Sequence, residues 1–173
     1  MILRATAVAA GLALAAGMAA AQDLGSVEVR VGGADRSFLI REEVEGEPSG
    51  VFPTDETGER TVSLAATPVD PGVDPGPEEG DEAASERLHL VFGIEGEGSD
   101  VLSGDPRIAY WDAQGRGFVM REGLSGVVTV SSLTEIGETL ILGGSFSAEL
   151  VPEAGGEEVL GVSGDFQMTI EGR

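Results

Sequence analysis

The C-terminal part of the chain carries one alternating pattern twice, at residues 140–150 and 160–170. In each copy an apolar residue or glycine occupies every second position, with the glycine third and a phenylalanine fourth in the series. A period of two over this length is typical of a strand with one buried face. The intervening residues 152–157 are polar and rich in turn formers. The pattern therefore predicts one long antiparallel hairpin over residues 139–171.

The same spacing predicts the register of this hairpin. Pairing the last apolar residue of the first strand with the first of the second places each phenylalanine opposite a glycine. The predicted partners are Leu150 with Leu160, Phe146 with Gly164, and Phe166 with Gly144. Each ring then covers the bare backbone of a facing glycine, which protects glycine in a sheet. A slip of one residue would turn the whole apolar set outward, so the two halves fix each other.

Shorter alternating runs predict further strands before this hairpin. They lie at residues 27–31, 37–41, 61–66, 87–94, 107–111, 117–121 and 126–133. Residues 32–35 predict a turn, and the acidic residues 42–59 predict a loop with Val51 and Phe52 tucked inward. About nine strands without an amphipathic helix predict an all-β fold, a single antiparallel β-sandwich or barrel closing on the C-terminal hairpin. Strands adjacent in sequence are expected to pair.

The first 21 residues have the pattern of a secretory signal peptide. Arg4 gives a positive start, a short Ala-rich apolar run follows, and Ala19, Ala20 and Ala21 precede a polar junction. Cleavage is expected after Ala21, and the apolar run is short for the alternative, a membrane anchor. Residues 22–173 are then a single β-domain, periplasmic or secreted, with no membrane span. The chain has no cysteine, which excludes disulfides and a lipid-anchored lipoprotein.

Residues 67–86 interrupt the strand pattern with an acidic, Pro/Gly-rich stretch. It holds four of the eight prolines and seven acidic residues, and it has no basic residue. Such a composition does not bury enough apolar surface to fold alone. The sequence predicts a mobile loop inside the one domain, and a boundary between two domains is the alternative.

The charge of the chain limits the classes of partner that are expected. Ten basic residues, all arginine, face 31 acidic ones, for a formal charge of −21, which becomes −22 when Arg4 leaves with the signal peptide. A surface of this sign repels nucleic acid and anionic lipid, so neither is expected as a partner. Basic partners or divalent cations remain, and the composition resembles that of proteins exported into salty surroundings, where salt screens the repulsion.

Two aromatic residues and one histidine are the first candidates for a site. Tyr110 and Trp111 are adjacent on a predicted strand, so one points inward and the other outward, where it could stack on a sugar or a partner. Packing in the core and at its edge is the alternative role. His89, the only histidine, falls on the face opposite Leu88 and Leu90 and is expected at the surface. A catalytic triad would have to use it, but no Gly-x-Ser-x-Gly elbow is present, so no catalytic residue is assigned.

Residues 95–103 suggest a calcium site. They resemble one calcium-binding nonapeptide of the parallel β-roll repeats of secreted toxins, with Glu95 in place of the first glycine. Those repeats bind calcium between successive turns and need tandem copies, whereas this chain has one. A Gly/Asp-rich loop is the alternative. Asp100 and Asp105 are the candidate ligands, and calcium is the one cofactor considered.

The signal peptide, the absence of cysteine and the closing hairpin Gly144-Ser145-Phe146 / Gly164-Asp165-Phe166 carry a resemblance to a known group. They resemble small uncharacterised exported β-rich proteins of Gram-negative bacteria. The resemblance implies the periplasm or the exterior and transfers no activity or functional residue.

Four functions follow for testing. The first is an exported, non-catalytic β-domain that binds or scaffolds a protein or small molecule. The alternatives are a lipocalin-like carrier of a small ligand with Tyr110 or Trp111 at its mouth, a calcium-binding module, and a hydrolase that depends on His89.

Overall fold

The computed structural model describes residues 23–53, 60–69, 86–95, 102–121 and 123–171. Twelve strands occur in these ranges. They are β1 (Asp23–Val31), β2 (Ala34–Arg41), β3 (Glu43–Val44), β4 (Glu47–Pro48), β5 (Gly50–Pro53), β6 (Arg60–Pro68), β7 (Arg87–Glu95), β8 (Leu102–Trp111), β9 (Gly117–Val119), β10 (Gly126–Ile136), β11 (Thr139–Pro152) and β12 (Leu160–Glu171). Within the described residues, no helix is long and apolar enough to cross a membrane.

Ten of these strands form one antiparallel sheet that closes on itself. Its strand order is β10-β11-β12-β1-β2-β6-β7-β8-β9, and β5 also pairs with β6. In addition, β9 pairs with β11 at Val151 and Pro152, which closes the sheet. The eight strands from β11 through β12, β1, β2, β6, β7 and β8 to β9 therefore make a ring. The predicted all-β antiparallel fold is confirmed. Strands next to each other in sequence supply most of the pairs, and β1 with β12 joins the chain's two ends.

The C-terminal hairpin has the predicted register, with each phenylalanine opposite a glycine. A Cβ atom built on Gly144 would lie 2.7 Å from the Phe166 ring, and one on Gly164 would lie 3.0 Å from the Phe146 ring. The backbone adds a second constraint that the sequence pattern did not indicate. The same Cβ atoms would lie 2.4 Å from the Thr129 carbonyl oxygen and 2.3 Å from that of Glu28.

Several local predictions are wrong in detail. The loop predicted at residues 67–86 starts too early, because β6 continues through Thr67 to Pro68, and its residues 70–85 fall outside the described ranges. The first turn is narrower than 32–35, because Val31 pairs with Ala34 and only Gly32 and Gly33, both with positive φ, remain outside the strands. The acidic stretch is not all loop, since β3, β4 and β5 lie within it; its residues 54–59 fall outside the described ranges.

Val51 and Phe52 do not both point inward. On β5, Val51 lies opposite the buried Val62 and packs against the core, whereas Phe52 is 40% exposed. Successive side chains of a strand point to opposite faces, so two neighbours cannot share one.

One cluster of buried apolar side chains fills the ring. It is built from the inward-facing positions of the strands: Val27, Val29, Phe38, Ile40, Val62, Leu64, Ala66, Leu88, Leu90, Phe92, Ile94, Ile108, Tyr110, Phe118, Val128, Leu133, Leu142, Phe146, Ala148, Leu150, Val162, Phe166 and Met168. Phe92 on β7 and Phe166 on β12 meet across the interior, with ring centroids 5.8 Å apart. Side chains from distant strands therefore touch in the middle.

Candidate functional site

The inward-facing Tyr110 closes the end of the ring that carries the Gly32–Gly33 turn. Its hydroxyl donates a 2.5 Å hydrogen bond to Glu86 Oε1, and Arg36 Nε donates to the same oxygen at 3.3 Å. Burial, together with the bond to Glu86, raises the pKa of the Tyr110 phenol well above its ordinary value. The phenol stays protonated and donates its hydrogen to the carboxylate, so these three side chains form a polar layer over the core.

An ion pair lies at the opposite end, where the Glu135 side chain is 58% exposed. Arg60 and Glu135 occupy inward-facing positions at the ends of β6 and β10, and Arg60 Nη1 donates to Glu135 Oε1 at 2.5 Å. The ring is thus apolar inside and polar at both ends. Two concave surfaces of the described residues lie on the outer face.

Trp111 points to that outer face, as expected from its place next to the inward Tyr110. It lines a cleft of about 100 Å³ together with Glu45, Glu47, Arg87 and His89, which we call the outer cleft. Arg87 lies over the indole ring, with its guanidinium carbon 4.2 Å from the ring centroid, and forms an ion pair with Glu45. A cation over an aromatic face is attracted by the ring quadrupole. One face of Trp111 is therefore taken by Arg87.

Gly117 allows the indole to lie flat against the sheet. It pairs with Trp111 across β8 and β9, and a Cβ atom at Gly117 would lie 2.9 Å from the indole nitrogen and 2.7 Å from Glu153 Oε2. This is a third aromatic residue over a glycine, on the outside of the ring. Any side chain at Gly117 would have to displace Trp111 or Glu153.

The other side of the outer cleft is a short hairpin, residues 42–49, which we call the outer hairpin. It contains β3 and β4, and its turn places Glu45 and Gly46 at φ of 49° and 85°. Val44 is buried, so this small two-stranded sheet packs against the larger one. Positive φ is uncommon for residues other than glycine, asparagine and aspartate, which makes Glu45 the conformationally costly residue of this turn.

Side chains fasten the outer hairpin to β6. Ser49 Oγ accepts a 2.8 Å hydrogen bond from the Ala65 amide and donates to the Ala65 carbonyl at 3.3 Å. Ser63 Oγ donates to the Pro48 carbonyl at 2.7 Å. Ala65 itself is buried although it faces outward, because the hairpin lies over it. No periodic pattern in the sequence indicates this packing.

His89 lies under the same hairpin. It pairs with Ala65 across β6 and β7, its Nε2 is 3.1 Å from Ser63 Oγ, and its side chain is 19% exposed. The predicted outward orientation is confirmed, but the hairpin covers most of the ring. Burial lowers the pKa of His89, and the nearby Glu47 carboxylate, 3.9 Å from Nε2, opposes that shift to a smaller degree.

The contact of Ser63 with His89 does not have the geometry of an activated nucleophile. The single hydroxyl hydrogen of Ser63 is directed to the Pro48 carbonyl, so Ser63 accepts from His89 Nε2–H. A general base would need an unprotonated nitrogen facing the hydroxyl, and a carboxylate on the other ring nitrogen to orient it. Here Glu47 approaches the same nitrogen as Ser63. The arrangement holds the outer hairpin in place.

The two calcium candidates are not brought together by what the structure describes. Asp100 lies outside the described residues, and Asp105 is an exposed residue of β8 with φ of 43°. In the described ranges, no group of three or more His, Asp or Glu side chains is placed to hold a metal ion.

A second concavity lies on the outer face of β11, β12, β1 and β2. It encloses about 640 Å³ and is shallow, with the bare backbone at Gly164 in its floor. Glu28 and Asp165 are cross-strand partners on one side of it, and Ser37 Oγ donates to Glu28 at 2.7 Å. Arg30 and Asp35 pair on the other side. Ser37 and Arg30 each bond one carboxylate of this surface, and the neighbouring Glu28 and Asp165 give it two like charges side by side.

Comparison with known protein families, curated proteins and solved structures finds no significant match to this chain. The site is therefore argued from its own residues. Trp111 and His89 were singled out from the sequence, whereas Ser63, Arg87 and the outer hairpin were not. The contact of Arg87 with Trp111 could have been predicted, because Arg87 begins β7 and Trp111 ends the antiparallel neighbour β8.

Proposed function

We propose that this chain is an exported, non-catalytic binding domain that contacts its partner through the outer face of the ring, at the outer cleft. The filled interior carries the proposal. The side chains of Phe92 and Phe166 meet at its centre, and polar groups lie over both ends. A carrier of the lipocalin type holds its ligand inside the sheet, so the packed interior favours recognition on the outside.

The outer cleft is favoured over the rest of the outer face for two reasons. It holds the chain's only tryptophan, and tryptophan is enriched in the residues that dominate binding energy at interfaces. It also lies beside the outer hairpin, where four of eight residues are glutamate. With a formal charge near −22 on the mature chain, a protein surface with basic side chains is the complementary partner.

Site-specific photo-crosslinking tests this function. A benzoylphenylalanine at Glu47, an exposed position beside the cleft, is compared with one at Ser147, an exposed position on β11. We expect a discrete crosslinked protein from the Glu47 position only, with a yield that falls as NaCl rises, because screening weakens attraction between exposed charges. Equal products at both positions, or none at Glu47 in the exported fraction of the native host, would refute the proposal.

A further inference from the structure

The outer hairpin is an excursion from a strand that would otherwise be continuous. β2 and β5 use the same edge of β6: Arg41 pairs with Ala65, and Gly50 pairs with Ser63. Those two positions on β6 are separated by Leu64 alone, yet eight residues lie between Arg41 and Gly50. The chain leaves the sheet, makes the outer hairpin and returns to nearly the same point. The hairpin can therefore move without breaking the ladder on either side.

Val44 is the one buried residue of the hairpin, so little apolar packing holds it down. Its polar contacts include the two hydrogen bonds between Ser49 and Ala65, the bond from Ser63 to Pro48, and the ion pair of Arg87 with Glu45. An exposed ion pair contributes little to stability. Segments with few buried apolar contacts open at a lower free energy than the whole domain. Opening of the hairpin is thus separable from unfolding of the ring.

His89 is part of this fastening. In its neutral form Nε2–H donates to Ser63, whose hydroxyl donates to Pro48, so a chain of two hydrogen bonds runs from His89 to the hairpin. The charged groups that face the imidazole are Glu45 and Glu47 on the hairpin and Arg87 on its own strand. Arg107 on the neighbouring β8 faces the same side of the sheet, opposite Val91 and diagonal to His89.

A proton on His89 acts against the closed hairpin. Burial beneath the hairpin disfavours the charged imidazole more than Glu47 favours it, so the pKa of His89 is lowered when the hairpin is down. With the hairpin raised, the imidazole of His89 is hydrated, and its pKa returns toward the ordinary value of about 6.5. As pH falls through that value, the open form takes up the proton first. Closure is complete at higher pH and is progressively lost on acidification.

We propose that the outer hairpin is an acid-released cover, which lifts from β6 when His89 takes up a proton and so uncovers the inner side of the outer cleft. This deepens the proposed function, because it makes access to the cleft depend on pH. Its physical basis does not need the partner. The excursion, the single buried residue of the hairpin and the single imidazole are properties of the chain alone.

Hydrogen exchange at the Ala65 amide measures the opening directly, because this N–H is bonded to Ser49 in the hairpin. Exchange, corrected for its intrinsic pH dependence, is followed from about pH 7.5 to about pH 5, above the range in which ordinary carboxylates titrate. We expect the open population to increase as pH falls, by no more than about tenfold per pH unit for one proton. Amides of the β11–β12 ladder should stay protected, which distinguishes hairpin opening from unfolding.

Two variants make the test specific. His89→Gln retains a donor for Ser63 but does not titrate, so the pH dependence of Ala65 exchange should vanish. Glu47→Gln removes the charge that favours protonated His89 in the closed form, so acid should open the hairpin further.

No pH dependence in the wild type, or the same dependence in His89→Gln, would overturn the proposal. An NMR titration placing the pKa of His89 above its ordinary value in the wild type would also overturn it, whether or not the variants fold.

A hairpin-free chain completes the design. Replacing residues 42–49 with one residue, to sit opposite Leu64, would join β2 and β5 into one strand along β6. We expect this chain to fold and to exchange Ala65 without the acid dependence. Retention of that dependence would assign it to another group and reject the cover. Because no partner enters these experiments, they can fail while the crosslink from Glu47 succeeds, and the reverse also holds.

Discussion

The substitution Phe146→Ala tests the centre of the fold. Phe146 is 4% exposed, belongs to the core cluster and lies over Gly164. Burying a phenylalanine contributes about 1.5–3 kcal/mol, and the cavity left by its removal brings the cost of Phe→Ala to about 3–5 kcal/mol. For a domain of this size each kcal/mol lowers the melting temperature by about 2–4 °C, which gives a drop of about 6–20 °C.

Phe52→Ala is the matched control, since Phe52 is 40% exposed at the edge of β5. Its melting temperature should stay close to that of the wild type, because surface substitutions change stability by about 0.5 kcal/mol or less. Thermal and urea denaturation of the three chains give the comparison. If Phe146→Ala melts within error of Phe52→Ala, both the burial of the ring and the register of the hairpin are wrong.

The same structure predicts that a double variant will not be rescued. Removing the Phe146 ring opens space for a methyl group on Gly164, but the Glu28 carbonyl oxygen still lies 2.3 Å from that methyl position. Gly164→Ala should therefore destabilise the chain whether residue 146 is Phe or Ala, which a double-mutant cycle measures. Recovery of stability in the double variant would show that the Phe146 side chain, and not the backbone of β1, requires glycine at position 164.

Two further predictions concern the acidic parts of the chain. Replacing residues 70–85 with a short Gly/Ser turn should leave the melting temperature nearly unchanged, since loop length costs little, provided that Glu86 is kept for Tyr110; loss of soluble folded protein would show that this segment packs. The melting temperature should rise with NaCl from the lowest ionic strength, as the reach of each charge shrinks from about 30 Å at 0.01 M to about 10 Å at 0.1 M. At saturating NaCl, Ca²⁺ and Mg²⁺ should act alike, and a calcium-only rise that disappears in Asp100→Asn would instead establish a calcium site.

The elements that sequence predicted best are those in which one face is buried along the whole strand. In β11 and β12 each apolar residue is two positions from the next, so a slip of one would expose all of them, and burial fixes the register. The sequence pattern did not distinguish a sandwich from a barrel, so it did not predict that the sheet closes into a ring. Its closure depends on two residue pairs between β9 and β11, and three residues of β9 carry no pattern long enough to predict that contact.

The candidate site was predicted only in part, for a related reason. Strand alternation predicted that His89 faces outward and that one of Tyr110 and Trp111 does, but it did not predict the hairpin that covers this face. The outer hairpin is held by side-chain hydrogen bonds to the backbone from Ser49 and Ser63, and by one cation over one ring. Such contacts do not produce a periodic pattern of apolar residues in the sequence. The segment was predicted as a loop because Pro48 is surrounded by acidic residues.

Most of the few basic residues of this chain are held in ion pairs. Six of the ten arginines form ion pairs with carboxylates in the described part of the chain: Arg30, Arg36, Arg41, Arg60, Arg87 and Arg116. Arg36 and Arg60 lie over the ends of the core, and Arg87 fastens the outer hairpin. Exposed pairs of this kind add little stability, so their main effect is to place particular side chains. Ten arginines against 31 acidic residues leave the chain with a formal net charge of −21. This charge would attract the proposed basic partner, and at the outer cleft that partner would meet Trp111 beside the outer hairpin, whose proposed opening controls access.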